Sequence, residues 1–139
     1  MTEIKELTLL SRIESVDEAA LKADEFVKEL GLGEEFVSAV DLAIRESVAN
    51  AVKHGNKFDE SKPVKIKMIN REDGLEITVR DFGAGFAVDT IPDPTDPANL
   101  LKVNGRGILF MRSFMDEVEW SQAEGGGMAV TMFKRALSA

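Results

Sequence analysis

The sequence predicts an α+β fold, a two-layer sandwich with helices on one face of a sheet, and three observations predict it. Helical periodicity is confined to two early segments and one late one. Two-residue alternation marks a central pair of segments and a final pair. A long proline-rich stretch separates the two halves of the pattern. A chain of 139 residues is expected to fold as one domain over 1–139, burying about two-thirds of its unfolded surface. It contains no internal repeat and no linker that divides it.

The elements follow in order. "KELTLLSRI" places Leu7, Leu9 and Ile13 on one side of an extended segment, a half-buried strand. Ser15 and Glu18 then have capping-box spacing, and Val16, Ala19, Ala20, Ala23, Val27 and Leu30 follow at helical intervals until Gly31. A second helix is expected from about Gly33 to about Gly55, with Glu34 and Glu35 at the positive end of its dipole. At about 100° per residue, Val37, Val40, Ile44, Val48 and Ala51 gather on one stripe with Ser47 at its edge. Glu46 points nearly opposite, Asn50 lies well off the stripe, and their flank also carries Ala39, Leu42 and Ala43. So small and uncharged a flank suggests that something covers it.

"VKIKMIN" and "GLEITVRD" alternate as a hairpin turning at Asp73-Gly74. The inward row of its second strand, Leu75, Ile77 and Val79, continues at the same interval to Asp81, and an inward carboxylate needs a partner. Residues 87–104, with three prolines, are too irregular for one helix or strand, and so long a loop reads as a lid or linker. Ile108, Met111 and Met115 then have helical spacing, and "EVEWSQ" and "GMAVTMFKR" are two more strands around Gly125 to Gly127.

Composition excludes several classes. With 25 acidic and 17 basic side chains, the formal charge of −8 repels nucleic-acid backbones and anionic membranes, so neither is an expected partner. No apolar run reaches membrane-spanning length and the amino end lacks a signal-peptide core, so a cytoplasmic protein is expected. The absence of cysteine fits a reducing compartment and, with a single histidine, argues against a zinc site.

Three pieces carry the chemistry: Glu46 and Asn50 one helical turn apart, "DFGAGF" at 81–86, and "GRG" at 105–107 opening the late helix. Each has a bland reading alone. Glu46 and Asn50 suit a solvated face, and Gly83, Gly85, Gly105 and Gly107 suit turns. Together they suit a nucleotide. Glycines before a helix let main-chain N–H groups approach phosphate, and Arg106 adds a full charge. The Asn50 side-chain oxygen suits Mg²⁺, and Glu46 one turn away suits a base that takes a hydroxyl proton.

"ESVANAVKHG", "DFGAGF" and "GRGILFMRSFMDEV" resemble the N, G1 and G2 boxes of the GHKL, or Bergerat-fold, ATPases, and they occur in family order over nearly the whole chain. The small size and the "GRGxxxMxxxMDEV" run resemble more narrowly the bacterial anti-sigma-factor serine/threonine kinases. The resemblance implies a mixed, mostly antiparallel sheet with helices on one face. It implies that Asp81 accepts the adenine amino group, with Gly83 and Gly85 passing close to the base. Asn50 would hold Mg²⁺, Glu46 would be the catalytic base, and Gly105, Arg106 and Gly107 would meet the phosphates of ATP. Residues 87–104 would be the ATP lid. Partners implied are a sigma factor and an anti-sigma-factor antagonist, the protein substrate, with homodimerisation also expected. His54 reads as helix-terminal packing or a site neighbour, and Lys53 as a solvated side chain or a phosphate neighbour.

Competing readings fail on missing parts. "DFG" resembles the triplet of eukaryotic-type protein kinases, but the HRD loop and the VAIK lysine are absent. A P-loop needs a Walker pattern that does not occur. A sensor histidine kinase needs a helical phosphoacceptor segment, and topoisomerases, mismatch-repair proteins and chaperones of the superfamily need further domains. The alternative within the resemblance is a non-catalytic ATP-binding module that sequesters a sigma factor or other regulator.

Overall fold

The computed structural model describes residues 3–83, 114–123 and 125–136. In chain order it contains β1 (Ile4–Leu9), α1 (Glu14–Glu29), α2 (Glu34–Asn50), a π-helical turn (Ala51–Gly55), β2 (Val64–Arg71), β3 (Gly74–Arg80), β4 (Glu117–Gln122) and β5 (Met128–Arg135). Among the described residues the strands form one five-stranded sheet in the order β1-β2-β3-β5-β4, with each of these pairings antiparallel.

Strand alternation sorts the sheet into two faces. Leu7, Leu9, Val64, Ile66, Met68, Leu75, Ile77, Val79, Val118, Val130 and Met132 are buried on one face. They form a single cluster with Ala19, Ala20, Ala23 and Val27 of α1 and Val40, Ile44 and Val48 of α2, so both helices cover that face. Each fully buried Ile, Val or Met contributes roughly 1.5–3 kcal/mol, whereas the exposed ion pairs contribute about 0–1 kcal/mol each. The core therefore holds the layers together. The opposite face is polar: Glu6, Lys67, Thr78 and Thr131 lie in register across four strands, with the two threonine hydroxyls 3.3 Å apart.

Three local expectations are corrected. Ile13 does not extend the buried strand; it is 47% exposed and immediately precedes α1. Ser15 does not cap α1, which already begins at Glu14; it turns inward and donates to the Leu10 carbonyl at 2.6 Å. That bond satisfies a carbonyl where the chain leaves the sheet. Gly74 is not a turn residue either. The two-residue loop is Glu72-Asp73, and Gly74 is the first residue of β3, paired with both Arg71 and Arg135. Its lack of a side chain serves contact with β5, since a Cβ there would lie 2.2 Å from the Lys134 carbonyl oxygen.

Candidate nucleotide site

The site is built where α2 ends. Val40, Ile44, Val48 and Ala51 are buried as the stripe requires, and buried Ser47 donates to the Ala43 carbonyl at 2.7 Å. Glu46 and Asn50 are half-buried on the other flank. Ala39 and Ala43 beside them are buried, while Leu42 is exposed. The flank is thus partly covered. Ala39 lines a groove with Phe114 and Lys134, so those two side chains lie close to the start of α2.

Beyond Asn50 the helix widens. The Asn56 N–H reaches the Ala51 carbonyl at 2.8 Å, a five-residue span that makes the last turn π-helical. Such turns at helix ends recur at functional sites because they re-aim the chain without breaking its hydrogen bonding. Here the wide turn brings Gly55 against Asp81, the first residue after β3.

Asp81, just past β3, continues the inward row of Leu75, Ile77 and Val79 and is 7% exposed. Its main-chain N–H donates to the Met128 carbonyl at 2.9 Å, and its Oδ1 accepts the N–H groups of Gly83 at 3.0 Å and Met128 at 3.1 Å. Two donors on one oxygen offset the desolvation of a buried carboxylate. Three glycines make the enclosure possible. A Cβ at Gly55 would lie 2.2 Å from Asp81 Oδ2, one at Gly127 would lie 2.0 Å from the Asp81 carbonyl oxygen, and one at Gly83 would lie 1.9 Å from the Gly55 carbonyl oxygen. The end of the α2 helix, the residues after β3 and the start of β5 therefore meet around one carboxylate.

A second buried polar group supports that junction. Asn56 is 2% exposed. Its Oδ1 accepts the Phe82 N–H at 2.8 Å, and its Nδ2 donates to Ser11 Oγ at 2.7 Å and to the carbonyls of Lys62 and Pro63 at 3.0 Å each. The Phe82 ring carries the Arg80 guanidinium at 4.2 Å and the Lys65 ammonium at 5.8 Å from its centroid, a cation–aromatic stack on the polar side of the sheet. Sequence reasoning singled out neither Asn56 nor Gly127 as a site residue. The only local signal was an asparagine following a helix-ending glycine, which reads equally well as a turn.

The structure brings Asp81, Gly83 and the end of the Glu46–Asn50 helix together. His54 and Lys53 are exposed on the π-helical turn. Gly85, Gly105, Arg106, Gly107 and the expected lid at 87–104 lie outside the described residues. Among the described residues no cluster of three or more His, Cys, Asp or Glu is placed to hold a metal, and no helix is long and apolar enough to cross a membrane.

Comparison with known proteins bears on the family and the fold. The profile of the histidine kinase-like ATPase domain matches residues 9–134. A relative from Listeria monocytogenes, named serine-protein kinase RsbW, is 26% identical over 133 residues, covering 91% of this chain and 85% of its own. A relative from Clostridium perfringens, named anti-sigma F factor, is 30% identical, covering 93% of this chain and 94% of its own. The crystal structure of the RsbU and RsbW domains of a Mycobacterium tuberculosis protein superposes with a TM-score of 0.71 at 17% identity over 99% of this chain. This chain spans about a third of that longer protein, 34% of its length, and the likeness speaks to the fold. With boxes in order, a helix-and-sheet sandwich around a buried aspartate, and a profile match over nearly its full length, the chain belongs to the histidine kinase-like ATPase family.

Proposed function

We propose that this protein is an ATP-dependent serine/threonine protein kinase that acts as an anti-sigma-factor regulator in a partner-switching system. The observation that carries the nucleotide reading is Asp81, a buried carboxylate enclosed by Gly55, Gly83 and Gly127 at the end of the helix bearing Glu46 and Asn50. Main-chain N–H groups engage its Oδ1, so Oδ2, facing Gly55, is the atom that would accept an adenine amino group. Such an enclosure fits a flat base approaching main chain rather than side chains.

Asn50 would hold Mg²⁺ through its side-chain oxygen. Magnesium keeps several waters and bridges phosphate oxygens, so one protein ligand with no carboxylate cage is an ordinary arrangement. Glu46, one turn earlier on the same half-buried flank, would take the proton of a serine or threonine hydroxyl as that oxygen bonds to the γ-phosphorus and ADP departs. Gly105, Arg106 and Gly107 would meet the phosphates, and residues 87–104 would close over them. The protein substrate is an anti-sigma-factor antagonist, the second partner is a sigma factor, and the working unit is a homodimer in the cytoplasm. The kinase and anti-sigma-factor names of the relatives support both partners.

Incubation with γ-labelled ATP, Mg²⁺ and the antagonist-type proteins of the same organism tests the proposal, run beside Glu46→Ala. Label on one antagonist's serine or threonine is expected. A tight complex with a sigma factor and no label on any candidate would instead identify a sequestering module.

A further inference from the structure

We infer that Asn56 is a positioning residue for base recognition: through the Phe82 amide it holds Asp81 in the orientation that distinguishes adenine from other purines. The inference rests on the proposed role of Asp81.

Three consecutive main-chain N–H groups define the turn that carries this carboxylate. The Asp81 N–H is fixed by the Met128 carbonyl of β5 at 2.9 Å, and the Gly83 N–H by the aspartate's own Oδ1 at 3.0 Å. Only the middle one, on Phe82, takes a side-chain partner distant in sequence, Asn56 Oδ1 at 2.8 Å. Asn56 therefore secures the residue between the aspartate and the glycine that packs on Gly55. Its amide has one orientation in this network. The Phe82 donor requires oxygen on one side, and the Lys62 and Pro63 carbonyls require nitrogen on the other. The Ser11 hydroxyl, itself donating to the Lys62 carbonyl, completes the nitrogen side as an acceptor. Buried at 2% exposure, the side chain has little access to water as a substitute partner.

Asn56 is also the first residue after the π-helical turn, so the same side chain relates the end of the Glu46–Asn50 helix to the residues after β3. A buried amide bridging Ser11, Lys62, Pro63 and Phe82 fixes how far the Asp81 carboxylate stands from that helix. Without it the Phe82 N–H loses its partner, and the carboxylate stays tied to Met128 and Gly83 but loses the hydrogen bond that sets its distance from the end of the α2 helix and from a bound base.

The experiment compares binding of ATP and of inosine triphosphate, which lacks the 6-amino group, by calorimetry with the full chain and Mg²⁺. Asn56→Ala is expected to weaken ATP roughly tenfold and leave inosine triphosphate within about twofold, reducing the preference roughly tenfold, as for one lost buried hydrogen bond. In the phosphotransfer assay KM for ATP should rise while kcat changes less than about twofold, the pattern of lost uniform binding. Asn56→Asp supplies a conservative test. It keeps the acceptor for Phe82 and loses the amide donor toward the Lys62 and Pro63 carbonyls, so it should lower stability while a folded Asn56→Asp chain holds its ATP preference within about twofold. Ser11→Ala removes one anchor but leaves the Phe82 bond, and should lower stability without changing the preference.

Asp81→Asn separates the two levels. If it retains the wild-type preference, the adenine role of Asp81 itself is wrong. If it loses the preference while a folded Asn56→Ala chain keeps it, or if Asn56→Asp loses the preference as fully as Asn56→Ala, Asn56 is not a positioning residue acting through Phe82. Unfolding of both Asn56 variants, seen by circular dichroism, would likewise overturn the inference, because the residue would then be purely structural.

Discussion

Gly55 packs on Asp81 so closely that a Cβ at the glycine would stand 2.2 Å from the carboxylate Oδ2 and 2.8 Å from the aspartate's own Cβ. Neither side can yield easily, since Oδ1 is tied to Met128 and Gly83 and the Gly55 carbonyl sits against Gly83. Gly55→Ala is therefore expected to destabilise the fold by about 1–3 kcal/mol, as overpacking does. It should also weaken ATP by more than its stability loss alone accounts for, because relief comes from displacing Asp81. Urea unfolding and calorimetry on the same preparation check both. Wild-type ATP affinity in a folded Gly55→Ala chain would remove Asp81 from the base site.

Exchanging the carboxylate for an amide should reverse base preference rather than merely weaken binding. In Asp81→Asn the side-chain oxygen still satisfies the Gly83 and Met128 N–H groups, so the nitrogen faces Gly55 and the site. That nitrogen opposes an adenine amino group, donor against donor, but suits the 6-oxygen of inosine. ATP binding is expected to weaken roughly 10–100-fold while inosine triphosphate improves, the scale of one mispaired buried hydrogen bond. Competition of the two nucleotides against a fluorescent ATP analogue reads the reversal directly. Equal weakening of both would show that the substitution acts on the fold alone.

Glu46 and Asn50 share one flank of α2 but are assigned separable tasks. Glu46→Ala is expected to lower phosphotransfer roughly 10²–10⁴-fold, the contribution of a positioned base, while ATP affinity stays within about twofold. Asn50→Ala should lose the dependence of ATP binding on Mg²⁺, and chelating the metal should abolish transfer by the unmodified chain. Single-turnover labelling of the antagonist with each variant separates base from metal ligand. Transfer by Glu46→Ala at the wild-type rate would end the base assignment.

The buried rows and the turns differed in how far sequence alone revealed them. The burial of Asp81 was legible because the two-residue count of β3 continues past its last apolar member, and the placement of Glu46 and Asn50 off the core stripe because one helical turn separates them. Both signals are local periodicities. Asn56 had none: its partners at positions 11, 62, 63 and 82 meet only once β1, the π-helical turn and β3 are packed. Gly74 shows the opposite failure. An Asp-Gly pair is a strong turn signal, but contact with Lys134 of β5, which no nearby residue announces, is what requires the glycine. Ser15 likewise had capping spacing, and the Leu10 carbonyl claimed its hydroxyl first.

A last prediction concerns stability away from the nucleotide. Asp24 of α1 meets Asp41 of α2 where the helices pack, with Arg45 bonded to Asp41 at 3.0 Å and to Asp17 at 2.6 Å. Burial first, then the hydrogen bond and repulsion from Asp41, push the Asp24 carboxyl from 3.8 up to about 6, against the opposing pull of Lys28 and Arg45. A pKa raised on folding means that the native chain holds a proton the unfolded chain releases. The stabilisation from that proton is complete below 3.8 and is lost as pH rises to about 6. Asp24→Asn mimics the protonated form at every pH. It should match the unmodified chain near about pH 4 and exceed its stability at about pH 7 by roughly 1 kcal/mol, a figure discounted for solvent screening at a partly exposed site. Urea midpoints across that range measure the gap between the two chains. A gap that stays constant from the acid end to neutrality would mean that Asp24 binds its proton equally in the folded and unfolded chains, with Arg45 and Lys28 cancelling burial and its contact with Asp41.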